Sequence, residues 1–540
     1  MHTITIVLVM LLAVTVSGLL ARATRLPLPL VQIALGFALV QVTGESVELD
    51  PHLFFLLFLP PLLFLDGWRI PKDELFRDKG MVLELALGLV VMTVLGVGLF
   101  IHWLIPAMPY AVSFALAAIL SPTDPIAVSA IAQRVPIPKR MMHILEGESL
   151  LNDASGLVCM RFAVAAALTG AFSLADALVS FSWVALGGLG IGVAVAWVVT
   201  RVKSFAVRRF GEDPGSSILI SVLIPFASYL AAEHFHASGI LAAVAAGISM
   251  TFFESGTLMA TTRVQRRAFW DTVQFILNGT IFVLLGEQLP ALLDRSINTV
   301  ADTGHDNPWW LLVYVLVINA ALASMRFAWV WVSLRITVYR ARRRGEAHPP
   351  VAWRAVAAMS LAGVRGALTL AGVMTLPLAM NDGSPFPARD LAIFLAAGVI
   401  LMSLLAASFA LPQVLRGLEL PEDDHDHLEG EARVAAAVAA IRAIEDKLHE
   451  LASERTDASL YADIAARVME DYRRRVHATP GQSGPRQARH AREIERKLRL
   501  VGLEAERSTY RQLRRNAAID DTVLQKLDGE LDLVAARLSV

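Results

Sequence analysis

Cysteine is almost absent from this chain of 540 residues; Cys159 stands alone. A single cysteine excludes an intrachain disulfide and any cysteine-rich metal site. Charge is also scarce. Asp, Glu, Lys and Arg make up 18% of the residues, against about a quarter in an average soluble domain. The two signs nearly cancel, leaving a formal net charge of −1, so the chain as a whole has no electrostatic footprint for nucleic acid. No nucleotide motif is evident, and nothing points to ATP as an energy source. The opening run, MHTITIVLVMLLAVTVSGLLARATR, lacks the positive n-region of a signal peptide. Its positive charges, Arg22 and Arg25, follow the apolar run instead. It reads as a first membrane span with the N-terminus outside.

What fills the chain is apolar sequence: 55% of the residues are hydrophobic. Thirteen apolar segments follow one another, near 3–21, 28–44, 52–68, 81–104, 108–132, 142–169, 178–200, 216–233, 237–253, 270–291, 309–334, 353–379 and 390–412. Alternate loops collect the cations, among them Arg69, Lys72, Arg77 and Lys79; Arg134, Lys139 and Arg140; Arg208 and Arg209; and Arg340, Arg342, Arg343 and Arg344. Such loops face the cytoplasm, which predicts a cytoplasmic C-terminal tail. If spans 1–6 and 8–13 are repeats joined by span 7, the odd number makes them inverted relative to each other, a common transporter plan; the repeat is inferred from topology, not from residue identity between the halves. The prediction is an all-α membrane protein with a transmembrane domain over 1–415 and a cytoplasmic helical tail over 416–540. TPGQSGP (479–485) divides that tail into two helical parts. Asp423, Asp424, His425, Asp426 and His427 read as a solvated acidic linker rather than a metal site.

One stretch is out of character with its surroundings. Residues 121–156, SPTDPIAVSAIAQRVPIPKRMMHILEGESLLNDASG, hold Asp124, Glu146, Glu148 and Asp153. A charge at the bilayer centre costs about 2.5–3.5 kcal/mol even on the lenient insertion scale, so acids gathered at membrane depth imply a function. Ser149 and Asp153 share a helix face, and Gly156 further along it allows close approach of another backbone. Pro122 and Pro125 interrupt span 5 around Thr123 and Asp124, which frees backbone carbonyls for an ion. Gly363 and Gly366 interrupt span 12 around Arg365, at the equivalent place in the other half.

Asp153, Ser149, Thr123 and Asp124 offer a hard, all-oxygen site without His or Cys, suited to Na⁺ or Li⁺ rather than a soft metal. Protons and cations compete for such a carboxylate. If it moves only when neutralised by one or the other, exchange follows with no cofactor. Glu148 and Arg365 read as a structural ion pair between spans 6 and 12, since a buried guanidinium requires a carboxylate. Asp66 ends span 3, either at a cytoplasmic funnel or at the interface. Arg326 lies mid-span in span 11 and requires a partner the sequence does not name. Arg161, Glu84 and Glu287 read as interfacial charges, and Asn278 as a polar contact between packed helices.

SPTDPIAV, LEGESLLNDASG and GVRGALTLAG together resemble the monovalent cation:proton antiporter family, which includes bacterial NhaP-type and animal Na⁺/H⁺ exchangers. LPPLLFLDGWRIP and PFASYLAAEHFHASGILAAVAAG look most similar to its bacterial branch. The resemblance implies Asp153 as the ion- and proton-carrying carboxylate, with Asn152, Ser149, Thr123 and Asp124 around it, and Glu148–Arg365 as the family's glutamate–arginine pair. It also implies a homodimer in a bacterial inner membrane, a mobile six-helix core moving like an elevator, and a role in pH and sodium homeostasis. Asn152 rather than Asp at its position implies electroneutral exchange of one Na⁺ for one H⁺. One departure is visible: Leu65 follows Phe64 where many relatives have an acidic residue, and Asp66 comes one later. A K⁺/H⁺ or Li⁺/H⁺ antiporter shares the same oxygen chemistry, and a membrane sensor with a signalling tail is a reading of another class. A channel is disfavoured by the lack of a repeated filter segment.

Overall fold

The computed structural model describes residues 2–43, 51–69, 84, 88–125, 128, 139–169, 174–253, 259–302, 307, 309–343, 353–416, 425–452, 458–477, 485–516 and a few between 527 and 535. Two compact units divide the chain, Met1–Leu420 and Pro421–Val540. Among the described residues both are helical, as a bilayer demands of lipid-facing backbone in the first.

The first unit begins with α1 (His2–Thr24), α2 (Leu28–Thr43) and α3 (Pro51–Arg69). Next come α4 (Leu89–Leu104), α5 (Tyr110–Leu120) and α6 (Lys139–Thr169). Four more follow: α7 (Leu174–Phe210), α8 (Pro214–His234), α9 (Gly239–Phe253) and α10 (Ala260–Asp302). It closes with α11 (Trp309–Arg343), α12 (Trp353–Leu361), α13 (Ala367–Met374) and α14 (Arg389–Leu415). Six of these helices are long and apolar enough to cross a membrane by themselves, and shorter apolar helices lie between them. The chain is a multi-pass membrane protein.

Several helices outrun the apolar segments. α10 has 43 residues, about 65 Å at 1.5 Å per residue, twice a hydrocarbon core of about 30 Å. Apolarity marks where lipid begins and ends. Its flanks, such as ATTRVQRR with its three arginines and a glutamine, are polar and continue the helix into water.

Other helices are too short. α5, α12 and α13 have 11, 9 and 8 residues, at most about 17 Å each. α5 stops before Pro122, and α12 stops before Gly363. These are the two interruptions expected from the sequence.

Packing sorts the unit into two bundles. α1, α2, α3, α7, α8, α9 and α10 pack among themselves, as do α4, α5, α6, α11, α12, α13 and α14. Between the bundles, α10 meets α13 and α14, and α3 meets α6 and α13. α5 and α6 approach closely at Gly156, where an added Cβ would lie 2.9 Å from the Ala118 carbonyl oxygen.

The second unit contains α15 (His425–Ala452), α16 (Ala458–His477) and α17 (Pro485–Arg515), with α15 packed on α16. The first helical part of the tail is thus itself two helices. Asp423, Asp424 and most of TPGQSGP lie outside the described residues, as do Lys72, Arg77, Lys79, Arg134 and Arg344.

Candidate ion-binding site

The two helix interruptions touch. The Asp124 backbone N–H donates to the Val364 carbonyl at 2.7 Å, joining the break after α5 to the break between α12 and α13. Each break carries a charge that suits the helix end it meets. The Asp124 carboxylate lies against Gly366, the N-cap of α13, where a negative charge is favourable. Position 366 has no room for a side chain, because a Cβ there would overlap that carboxylate. Arg365 donates through Nε to the Leu120 carbonyl at 3.0 Å, at the C-terminal end of α5, and through its guanidinium to the Gly363 carbonyl at 2.6 Å. Carbonyls that the breaks would leave orphaned are thereby satisfied.

Beside this crossing lies a cavity of about 20 Å³, room for one water-sized particle. Pro122, Thr123, Asp124 and Pro125 line it from the first break, and Ser149 and Asp153 from α6. Gly366 to Thr369 line it from the second break and α13. Leu62 and Asp66 of α3 and Asn278 of α10 close it from the other bundle. Three carboxylates thus surround a space of ionic size. Asp153 is 3% exposed, and the Ser149 hydroxyl donates to its Oδ2 at 3.5 Å.

The predicted residues separate into two groups. Ser149, Asp153, Thr123, Asp124 and Asp66 meet at the cavity. Asn152, Glu148 and Thr123 form a chain beside it. The Asn152 amide donates to the Thr123 hydroxyl at 3.1 Å, and that hydroxyl donates to Glu148 Oε1 at 3.5 Å. Asn152 Oδ1 is buried with no hydrogen bond among the described residues.

The expected Glu148–Arg365 pair is not formed. Glu148 is held by Arg326, whose two terminal nitrogens reach its two oxygens, one of them at 2.9 Å. Arg326 Nε donates further to the Met359 carbonyl at 3.1 Å. The geometry explains the exchange of partners. A guanidinium fork on α11 takes both carboxylate oxygens, whereas Arg365 sits in the non-helical break between α12 and α13 and turns towards the carbonyl end of α5. Arg326 thereby finds the partner its sequence could not name.

Arg161, half exposed, pairs with Glu233 of α8 at 3.0 Å. Glu287 is not interfacial; it is 5% exposed within α10, near the crossing of α10 with α2. Asn278, read as a packing residue, faces the cavity. The polar pair at 278 and 280 inside FILNGTIF was the available signal.

Known proteins resemble this chain along most of its length. Residues 7–417 match the model of the family described as "Sodium/hydrogen exchanger, transmembrane". A protein of Escherichia coli K12 named as an uncharacterized Na⁺/H⁺ exchanger is 41% identical, over 98% of both chains. A Bacillus subtilis protein named "Sodium, potassium, lithium and rubidium/H(+) antiporter" is 40% identical over 98% of this chain and 78% of its own length. The sodium proton antiporter MjNhaP1 of Methanocaldococcus jannaschii has a similar fold, with a TM-score of 0.59. The likeness covers 77% of this chain and 99% of that one, at 18% identity.

Proposed function

This chain belongs to the sodium/hydrogen exchanger family, and from that premise we propose that it exchanges Na⁺ for H⁺ one for one across a bacterial inner membrane. The observation that carries the proposal is the cavity of ionic size, lined by Asp66, Asp124, Asp153 and the Ser149 hydroxyl at the crossing of two broken helices. Asp124 is engaged with the N-terminus of α13, and Glu148 with Arg326. Asp66 and Asp153 remain, and Asp153, the more buried of the two and on the bundle that carries both helix breaks, is read as the carboxylate that a proton and a cation take in turn. Asn152 is neutral, so one charge moves each way and the exchange is electroneutral.

The two-bundle packing supports alternating access in which the α4–α6 and α11–α14 bundle moves against the other, carrying Asp153 between the two sides. We read the membrane unit as thirteen spans with inverted halves, outside N-terminus and cytoplasmic tail, and the assembly as a homodimer. The Bacillus subtilis relative, named for sodium, potassium, lithium and rubidium, favours a second reading within the same chemistry, in which K⁺, Li⁺ and Rb⁺ are also carried.

The test uses purified full-length protein in liposomes with an internal pH dye. A pulse of Na⁺ moves protons outward from wild-type liposomes, and Asp153→Asn abolishes the signal while the protein still inserts. Exchange retained in that variant would remove Asp153 from the centre of the cycle. A rate that follows an imposed membrane potential would overturn the one-for-one stoichiometry.

A further inference from the structure

Asn278 is the polar residue at the cavity that the proposed cycle leaves unused. It reaches the cavity from α10, across from Asp153. Its amide makes no hydrogen bond to any described residue. A packing role would leave the amide bonded to a neighbouring helix, since an unmet polar group in an apolar bundle is costly.

Asn278 also ends a polar face. Asp271, Gln274 and Asn278 are spaced three and four residues apart, which puts them on one side of α10. Arg69 of α3 donates to both Gln274, at 2.6 Å, and Asp271. Asp66, three residues before Arg69, lines the same cavity as Asn278. The Asp271 side chain is 57% exposed, Gln274 and Asn278 are half-buried, and Ile281, Phe282 and Leu285 beyond them are buried. A polar seam between α3 and α10 therefore runs from the exposed part of α10 to the cavity, and there it stops.

We propose that Asn278 determines cation specificity. Its amide oxygen is the ligand through which a monovalent cation passes between the α3–α10 seam and Asp153. The inference rests on the antiport reading of the cavity. An amide oxygen is a hard, neutral ligand, so it helps strip water from the ion without adding a charge that would hold it. Because it comes from the opposite bundle, its contact with the ion is made and lost as the bundles move. Its reach then favours ions of one radius over another.

The experiment compares wild type, Asn278→Leu and Asn278→Asp as full-length proteins in liposomes, with Na⁺, Li⁺ and K⁺ titrated separately. Leucine keeps the branched shape of asparagine without the amide, and aspartate keeps an oxygen in place. Expected is a rise of about tenfold or more in the half-saturating concentration for the leucine variant. The rise differs among the three cations, and the aspartate variant stays nearer wild type. If Asn278→Leu does not accumulate, Asn278→Ala makes the same comparison. Unchanged half-saturation for all three cations would overturn the proposal. So would an equal loss in both variants that tracks a fall in thermal stability, because packing alone explains that. A wild-type protein that exchanges none of the three for protons overturns the antiport reading, and this inference with it.

Discussion

Helix α6 carries two buried carboxylates with opposite fates. Glu148 is 0% exposed and Asp153 is 3% exposed. They are five residues apart, so they sit about 7.5 Å along and about 140° around the same helix. Glu148 turns into the bundle of α4–α6 and α11–α14, where Arg326 takes both its oxygens and Thr123 adds a hydroxyl. Asp153 turns to the boundary between bundles, where the Ser149 hydroxyl donates to it and two further carboxylates share its cavity. Burial alone does not make a transport residue. A buried acid whose counter-charge is built in holds the fold. One whose counter-charge is left out requires a proton or a cation from outside.

The largest expected effect separates the two directly. Removing one member of a buried ion pair costs about 3–5 kcal/mol, because the other is left charged and alone. Glu148→Gln and Arg326→Ala therefore lower the unfolding midpoint of the detergent-purified protein and its yield in membranes. Asp153→Asn removes no partner's only counter-charge, so its midpoint stays near wild type while exchange is lost. If Asp153→Asn destabilises the protein as much as Glu148→Gln, the division between a structural and a transporting acid does not hold.

Much of this was legible in the sequence, for a physical reason. Acids in apolar surroundings are costly, so Asp124, Glu148 and Asp153 announce themselves. Single prolines such as Pro225 and Pro290 sit inside continuous helices; the signal for the two interruptions was paired breakers around a charge, Pro122 and Pro125 at Asp124 and Gly363 and Gly366 at Arg365. What stayed hidden depends on rotation and reach. Glu148 has two arginines in its neighbourhood, and nothing in the chain order says that the fork on α11 wins it while Arg365 turns back to the Leu120 carbonyl. The same holds for Asn278. An asparagine in an apolar helix reads as a helix–helix contact, and only the meeting of α10 with α3 and α13 brings it to the cavity.

A smaller effect is expected where the ion pair is wet. Arg161 and Glu233 join α6 to α8, and so one bundle to the other, at 3.0 Å, but their side chains are 39% and 37% exposed. Water and salt screen such a pair, and its contribution is about 0–1 kcal/mol. Arg161→Gln accordingly shifts the unfolding midpoint slightly, and the shift shrinks further in high salt. A salt-insensitive loss comparable to that of Arg326→Ala would mean that exposure does not set the worth of an ion pair in this protein.

The smallest effect belongs to a carboxylate with no buried partner and no cavity. Asp213 caps α8 from outside the span, its Oδ2 accepting from the Ser216 backbone N–H at 2.7 Å. Hydrogen bonding by Ser216 holds its pKa below the ordinary carboxylate value. A lowered folded-state pKa stabilises the fold above the unfolded value of about 3.9, and that contribution disappears as pH falls through the folded one. Asp213→Asn keeps a capping oxygen and removes only the charge. Wild type should therefore exceed the variant slightly in unfolding midpoint at neutral pH, and the two should converge as pH drops below about 3.9. A gap that persists in acid would assign the difference to the geometry of the cap, and the charge of Asp213, unlike those of Glu148 and Asp153, would then count for nothing.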